Sequence, residues 1–346
     1  MVALDVRPRE MSPLASSHDV LVRRCTEELE RRGKSWRQIT RRHGVRLPDK
    51  PGTGMRVPSM SELAVLRDAE LEADDPYFGW SLGEFSFRDL GVYGYSVLNS
   101  PDVRSALTTA IELFRLLSEG PQMGLQERDG EAWLTQTVNL GTGVNQVGLR
   151  MRLSHMRELA GPDFKPLRVG VPETDAVRLS GLSDLAGVRV EASEHAISYV
   201  TFPADVLNRP LHQADRQLAI TLRRIWDEER QRLAERSHTM GRLQKAILST
   251  LPEGEPRLDR VAESLSVSPK TLRTELNGLG TSLPRITDMV RASVAGALMA
   301  EPGMTPARVA KALGYAEAGA LMRAQGRWFG TTTAARGRTT DRARRT

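Results

Sequence analysis

Lys270, Thr271, Arg273 and Thr274 surround two leucines, Leu272 and Leu276, that stand four residues apart. That spacing puts both leucines on one face of a helix and leaves the four polar side chains on its other faces. A guanidinium presented in this way, that of Arg273, can make a bidentate contact with the edge of a guanine. Lys270 and Thr271, at the helix start, suit phosphate oxygens instead. Ser268 stands before Pro269 and pairs a capping hydroxyl with a proline at the first helical position. The chemistry on offer is recognition of a nucleic-acid duplex.

The elements that must position these side chains occur twice between residues 257 and 330. Ala262 is followed four residues on by Ser266, and Leu272 comes six after that; Ala310 is followed four on by Gly314, and Leu321 comes seven after that. A small residue four positions before a turn residue lets two short helices cross closely at a sharp angle, as in a helix-turn-helix. Thr305-Pro306 repeats the start signal of Ser268-Pro269. Ser282, before Pro284, opens a long connecting helix, and Glu301-Pro302-Gly303 ends it.

The phrases LDRVAESLSVSPKTLRTEL, GTS ahead of the connecting helix, and ARVAKALGYAE followed by RWFG resemble the AraC/XylS family of bacterial transcription regulators. The resemblance implies two recognition helices entering successive major grooves on one face of a duplex. The second unit departs from the family pattern: Leu321, Arg323 and Gln325 stand where a phenylalanine, an arginine and a second phenylalanine are usual, and Gly326 follows. With Gln325 expected at a core position and a helical glycine costing about 1 kcal/mol against alanine, this unit is expected to be looser. Arg323 and Arg327 remain phosphate candidates, with Trp328 and Phe329 as core anchors.

Charge is distributed to match. The chain of 346 residues carries a net +6, yet from Met240 onward 17 Lys+Arg face 9 Asp+Glu, a balance of +8, while the preceding 239 residues sum to −2. The positive excess therefore travels with the helix-turn-helix pair, as an electrostatic footprint for phosphate would. Other chemistries find little support. The single cysteine, Cys25, excludes an internal disulfide framework and fits a reducing compartment. No run approaches the roughly 20 apolar residues needed to span a bilayer, so a cytoplasmic protein without membrane contact is expected. The six histidines are scattered without metal-ligand spacing, the glycines at Gly91 and Gly94 match no dinucleotide or phosphate loop, and Glu191, Glu194 and His195 read as a polar turn between strands. No enzyme, metal or cofactor is expected.

The N-terminal half mixes helices and strands. Helices are expected from His18 to Gly33, over Trp36–Arg42, over Met60–Leu71 behind a capping box of Ser59 and Glu62, over Val103–Leu117, over Val147–Leu159 and near Thr174–Leu179. A hairpin should turn at Asp129-Gly130, and FKPLRVGVP and GVRVEASEHAISYVTFP supply further strands. GWSLG, DLGVYGYSVLNSPDVRSAL, the strand pair and YVTFPADVLNRPLHQAD resemble the arabinose-binding-like sensing domain of regulators in the same family. A sensing pocket would draw on the rare large side chains Trp80, Tyr93, Tyr95, Phe114 and Trp133, with Tyr93 and Tyr95 favoured because a buried phenol must find a hydrogen-bond partner. Leu211, Leu218 and Ile225, seven apart in a charged helical linker, suit either a short dimer seam or a solvated helix with one apolar stripe. Arg242–Leu251 should open the DNA-binding domain.

The expected architecture is multidomain: an α+β sensing or dimerisation domain over residues 17–205, a helical linker over 206–240, an all-α double helix-turn-helix DNA-binding domain over 241–336, and a basic tail over 337–346. The function expected is sequence-specific transcriptional regulation on double-stranded DNA, modulated by a small-molecule effector, as a homodimer and with RNA polymerase as a further partner. The alternative is a constitutive or nucleoid-type DNA-binding protein whose N-terminal domain serves only assembly.

Overall fold

Asp129 and Gly130 adopt φ angles of 50° and 79°, the left-handed pair that a two-residue hairpin needs to match the twist of its strands. The hairpin they close is the edge of the main sheet in a computed structural model that describes residues 16–45, 47, 56–82, 85–119, 122–137, 142–193, 197–212, 214–251, 254–279, 281–300 and 304–329. The chain divides into two compact units, one running to Arg230 and the other from Gln231.

The first unit opens with β1 (Ser16–His18), α1 (Val20–Arg31), α2 (Arg37–Arg42), β2 (Arg56–Pro58), α3 (Ser59–Ala73) and α4 (Phe78–Ser81). β1 and β2 pair antiparallel, Ser17 opposite Val57. α1 to α4 converge on a core of Val22, Cys25, Leu29, Val65, Leu66 and Phe78, so the lone cysteine is a buried packing residue. Next come α5 (Val92–Leu98), α6 (Val103–Leu117), β3 (Met123–Arg128), β4 (Glu131–Thr137), α7 (Thr142–Ala160), β5 (Arg168–Val171), α8 (Ala176–Ala186), β6 (Val190–Ala192) and β7 (Ile197–Pro203). The five-stranded sheet has the order β3-β4-β7-β5-β6, antiparallel except for the β5–β6 pair. α6 begins at the residue expected because the Asp102 carboxylate caps it, accepting from the Ser105 N–H at 2.7 Å.

Two expectations in this stretch need correction. Ser59 and Glu62 do not form a capping box. Pro58 is the N-cap of α3 and, having no side-chain acceptor, makes no cap bond; Ser59 is the first residue inside the helix, and its hydroxyl bonds with Ser17 of β1 at 3.0 Å. The linker and the opening helix of the C-terminal unit are not separate either: α9 runs unbroken over Arg216–Thr250. No proline interrupts that span, and Gly241, with open space about its Cα, costs a helix only about 1 kcal/mol.

The second unit is all helical: the end of α9, then α10 (Leu258–Ser264), α11 (Pro269–Gly278), α12 (Leu283–Ala300), α13 (Pro306–Ala312) and α14 (Ala318–Phe329). Its core collects Leu243, Ile247, Val261, Ala262, Leu272, Leu276, Ile286, Val290, Val309, Ala310, Leu313 and Leu321. Both small residues singled out in the sequence, Ala262 and Ala310, are buried where paired helices cross. Gln325 does not occupy the core position expected of it. Ala324 does, fully buried three residues after Leu321, and Gln325 sits half-buried with its amide on the Met299 sulfur at 3.0 Å. α14 also continues through Gly326 to Phe329, so the glycine does not break it.

Candidate nucleic-acid interface and effector cavity

α11 is fixed by its start and by its apolar face. Ser268 Oγ accepts the Thr271 N–H at 3.0 Å and shares a second bond of 2.8 Å with Thr271 Oγ1, while Leu272 and Leu276 are buried. Thr274 Oγ1 donates back to the Lys270 carbonyl at 3.1 Å. Lys270, Thr271, Arg273 and Thr274 are exposed together on the other faces. The structure therefore gathers the five predicted residues of the first unit on one capped helix. Ser268 and Thr271 carry the cap, and Lys270 and Arg273 extend from the helix as long cations.

The second unit repeats the construction. Thr305 Oγ1 accepts the Arg308 N–H at 3.3 Å and Pro306 fills the first turn. Arg323 is exposed on α14 and pairs with Glu317 at 3.2 Å, a solvated contact worth no more than about 1 kcal/mol. The side chains of Arg327, Trp328 and Phe329 lie outside the described residues.

The two tight turns have left-handed backbone at equivalent places: Ser266 at φ 57° and Gly314 at φ 73°. A side chain at Gly314 would meet the Leu251 carbonyl oxygen at 2.3 Å, so only glycine fits. Ser266 accepts the strain of a left-handed non-glycine residue. Sequence reasoning missed Arg291, which is buried in α12 and holds the second turn. Its Nε donates to the Leu313 carbonyl at 3.0 Å, one terminal nitrogen reaches Glu255 at 2.7 Å, and its plane covers Tyr315 at 4.6 Å.

In the first unit, a cavity of about 130 Å³ lies between β1, α1, α3, α6 and α7. Its walls are mainly apolar, from Val20, Leu63, Phe85, Phe114, Val147 and Met151, with Ser17, Ser59, Glu62, Ser118 and Gln136 as polar members. Burial pushes the Glu62 carboxyl up to about 7, against a hydrogen bond from Ser17 and the charge of Arg56 that favour ionisation. His18, Val20, Leu90 and Leu117 also line a wider groove of about 560 Å³, where Tyr93 and Trp226 stand.

Of the aromatic candidates, Phe114 lines the cavity and Tyr93 the groove. Tyr93 is buried, donates its phenol to the Ala110 carbonyl at 3.0 Å and meets the Trp226 ring edge-on at 6.3 Å. Trp80 and Tyr95 line neither space. Trp80 is half-buried beneath the Arg150 guanidinium, 5.3 Å away, and Tyr95 is exposed on α5. Trp133 packs against Tyr199 and Arg168. Glu191 is occupied by the Tyr199 hydroxyl at 2.5 Å, and Glu194 and His195 lie outside the described residues. Arg152, another buried cation that sequence reasoning missed, reaches Gln136 and Ser198 from α7, and burial holds it down to about 9.

Residues 33–211 match the arabinose-binding domain found at the N-terminus of AraC transcription regulators. The chain belongs to this family. It is 24% identical over 268 residues to the ornithine utilization regulator of Pseudomonas aeruginosa, covering 76% of this chain and 78% of that one. It is 27% identical over 266 residues to an uncharacterized HTH-type transcriptional regulator of Mycobacterium tuberculosis, covering 74% and 77%. The crystal structure of the transcriptional regulator CdpR from Pseudomonas aeruginosa aligns over 91% of this chain and 96% of its own at TM-score 0.44 and 20% identity. The AraC-family assignment makes the chain a helix-turn-helix transcription regulator, and its relatives are named as regulators, not as enzymes. Among the described residues no helix is long and apolar enough to cross a membrane, and no cluster of three or more His, Cys, Asp or Glu could hold a metal.

Proposed function

We propose that this regulator binds specific promoter or operator DNA through α11, with Arg273 reading a base edge and Lys270, Thr271, Ser268 and Thr274 contacting the backbone. Arg323 and Arg327 add phosphate contacts from the second unit. The observation that supports this reading is the face of α11: four polar residues exposed together on a capped helix whose leucines anchor it in the core. The domain division is 17–205 for sensing or assembly, a linker over 206–240 that runs on within α9 into the DNA-binding region over 241–336, and a basic tail over 337–346. The protein acts in the cytoplasm as a homodimer, with RNA polymerase as a partner at the promoter.

A small molecule bound in the N-terminal unit shifts the equilibrium between DNA-binding arrangements, which requires it to favour one of them. The ornithine utilization named for one relative makes small nitrogen-containing metabolites the first class to screen. The test is DNA binding by the full-length protein on genomic fragments that include its own upstream region, across a salt series. One fragment should bind far more tightly than the rest, and log affinity should fall linearly with log salt. Equal, weak binding to all fragments would refute sequence-specific regulation.

A further inference from the structure

A carboxyl that faces an apolar cavity without a directly paired cation is costly to ionise, and Glu62 is in that position, since Arg56 acts on it through its charge and not through an ion pair. It is buried on α3, it lines the cavity, and no ion pair reaches it among the described residues. Its bonded neighbour is Ser17, whose oxygen lies 3.0 Å from both Ser59 Oγ and Ser118 Oγ. A hydroxyl has one proton and two lone pairs. If Ser17 donates to Glu62, the other two serines donate into Ser17, and the cluster forms a fixed polar floor under an otherwise hydrocarbon chamber. An ordinary buried structural carboxylate would be paired with an arginine, and the basic residues close by are spent elsewhere. Arg56 donates to the Leu116 carbonyl and pairs with Glu119 at 3.6 Å, and Arg23 pairs with Asp19 at 2.6 Å.

Size and shape narrow the occupant. The cavity of about 130 Å³ is close to the ~150 Å³ apolar cavity that accepts benzene, so it takes an apolar body of about six to eight non-hydrogen atoms. On the adjoining groove Arg24 pairs with Asp89 at 2.8 Å and Arg23 with Asp19 at 2.6 Å. Inside the cavity the acidic group offered to a ligand is the Glu62 carboxyl. His18, Val20, Leu90 and Leu117 border both spaces, which gives a route of entry from the groove. Inside the groove stand Tyr93 and Trp226, and Trp226 belongs to α9. An occupant that moves the border residues is thus in contact with the packing of α9.

We propose that this cavity is an effector site for a small amphipathic amine, its hydrocarbon part among Leu63, Phe85, Phe114 and Met151 and its ammonium group on Glu62. The proposal rests on the ligand-modulated reading above and supplies its site and ligand class. The ammonium donates to the carboxylate and gives the buried charge a directly bonded cation, which no ion pair supplies among the described residues. A carboxylic acid of the same length would place a second acid against the first, and an alcohol would gain a hydrogen bond without the charge.

The test measures binding of n-hexylamine, hexan-1-ol and hexanoate to the full-length protein by calorimetry, with thermal shift in parallel, at a pH above the Glu62 range. Hexylamine should bind and raise Tm, hexanol should bind more weakly, and hexanoate should not bind. Glu62→Gln should weaken hexylamine by about tenfold or more, as expected for a buried charge pair losing one partner, and leave hexanol within about twofold. Val144→Phe, which fills the chamber from α7 and leaves the carboxyl intact, should abolish both and keeps the proposal testable if the Glu62 variant folds poorly. No hexylamine binding, unchanged binding in either variant, or hexanoate binding as tightly as hexylamine overturns the proposal. Hexylamine binding that obeys these rules but leaves DNA affinity and promoter activity unchanged supports the site and refutes the regulatory reading.

Discussion

Arg291 and Leu313, 22 residues apart, are joined by a hydrogen bond of 3.0 Å from the guanidinium Nε to the carbonyl that ends α13. The same side chain pairs with Glu255 and covers Tyr315, so one buried cation fastens the connecting helix to the turn of the second helix-turn-helix. Arg291→Ala would strand that carbonyl and leave a void, and it should cost about 2–4 kcal/mol. Arg291→Lys keeps a charge but lacks the fork that serves Leu313 and Glu255 together, so it should recover less than half of the loss. Urea unfolding of the full chain checks both. A loss below about 0.5 kcal/mol, the usual size of a surface substitution, would mean the turn holds without Arg291.

The two turns predict opposite responses to small substitutions. Ser266 sits at φ 57° and Gly314 at φ 73°. Ser266→Gly removes left-handed strain from a residue with a Cβ and should raise stability by about 1 kcal/mol. Gly314→Ala adds both that strain and a clash with the Leu251 carbonyl at 2.3 Å, and should lower stability by about 2 kcal/mol or more. Thermal midpoints of the two single variants separate cleanly if the turns are as described, and a common sign would refute the equivalence.

On DNA, Arg273 and Lys270 should fail in different ways. Arg273→Ala should cost about 1–3 kcal/mol on the preferred fragment and relax discrimination between fragments. Lys270→Ala should weaken all fragments alike and reduce the slope of log affinity against log salt by about 0.9. Titrations of both variants at several salt concentrations measure these effects. If the two patterns are exchanged, base reading passes to the helix start.

Local rules made the repeated unit legible in the sequence. Ser268-Pro269 and Thr305-Pro306 announce helix starts by groups within three residues of each other, Asp129-Gly130 announces its turn, and the leucine spacing on α11 fixes which side chains stay outside. The buried charges were not legible. A charged residue is by default solvated, and nothing near Arg291, Arg152 or Glu62 in the chain names its distant partner: Leu313, Ser198 and Ser17 come from other elements. The misread capping box has a related origin: α3 starts one residue earlier than the box requires, with Pro58 as its cap, and the Ser59 hydroxyl bonds with Ser17, 42 residues earlier. Trp80 and Tyr95 are large side chains whose type makes them pocket candidates, and whose places on their helices keep them off the cavity and the groove described above.

Glu62 also predicts how stability depends on pH. Its folded pKa of about 7 lies above the ordinary 4.5, so between those values the folded state retains a proton that the unfolded chain has shed. The resulting stability is fully present below about 4.5 and is lost as pH rises through about 7. Arg56 favours the ionised form and Asp19 opposes it. His18, on the same cavity wall, is lowered by burial and by Arg56, so it acts in the reverse sense, weakening the fold as pH falls. Because His18 is the same in wild type and in Glu62→Gln, the difference between the two proteins isolates the carboxyl. Glutamine mimics the protonated acid, so the variant should match wild type in acid and exceed it above the titration by an amount that grows to roughly 3 kcal/mol. Urea midpoints of both proteins below about pH 4.5 and above about pH 7 measure it, and a difference that does not change between them would show that Glu62 titrates as an ordinary solvated glutamate. Without ligand, the ionised carboxylate is the strained state of the chamber; an amine that pairs with it should therefore restore the lost stability above pH 7 in wild type and not in the variant.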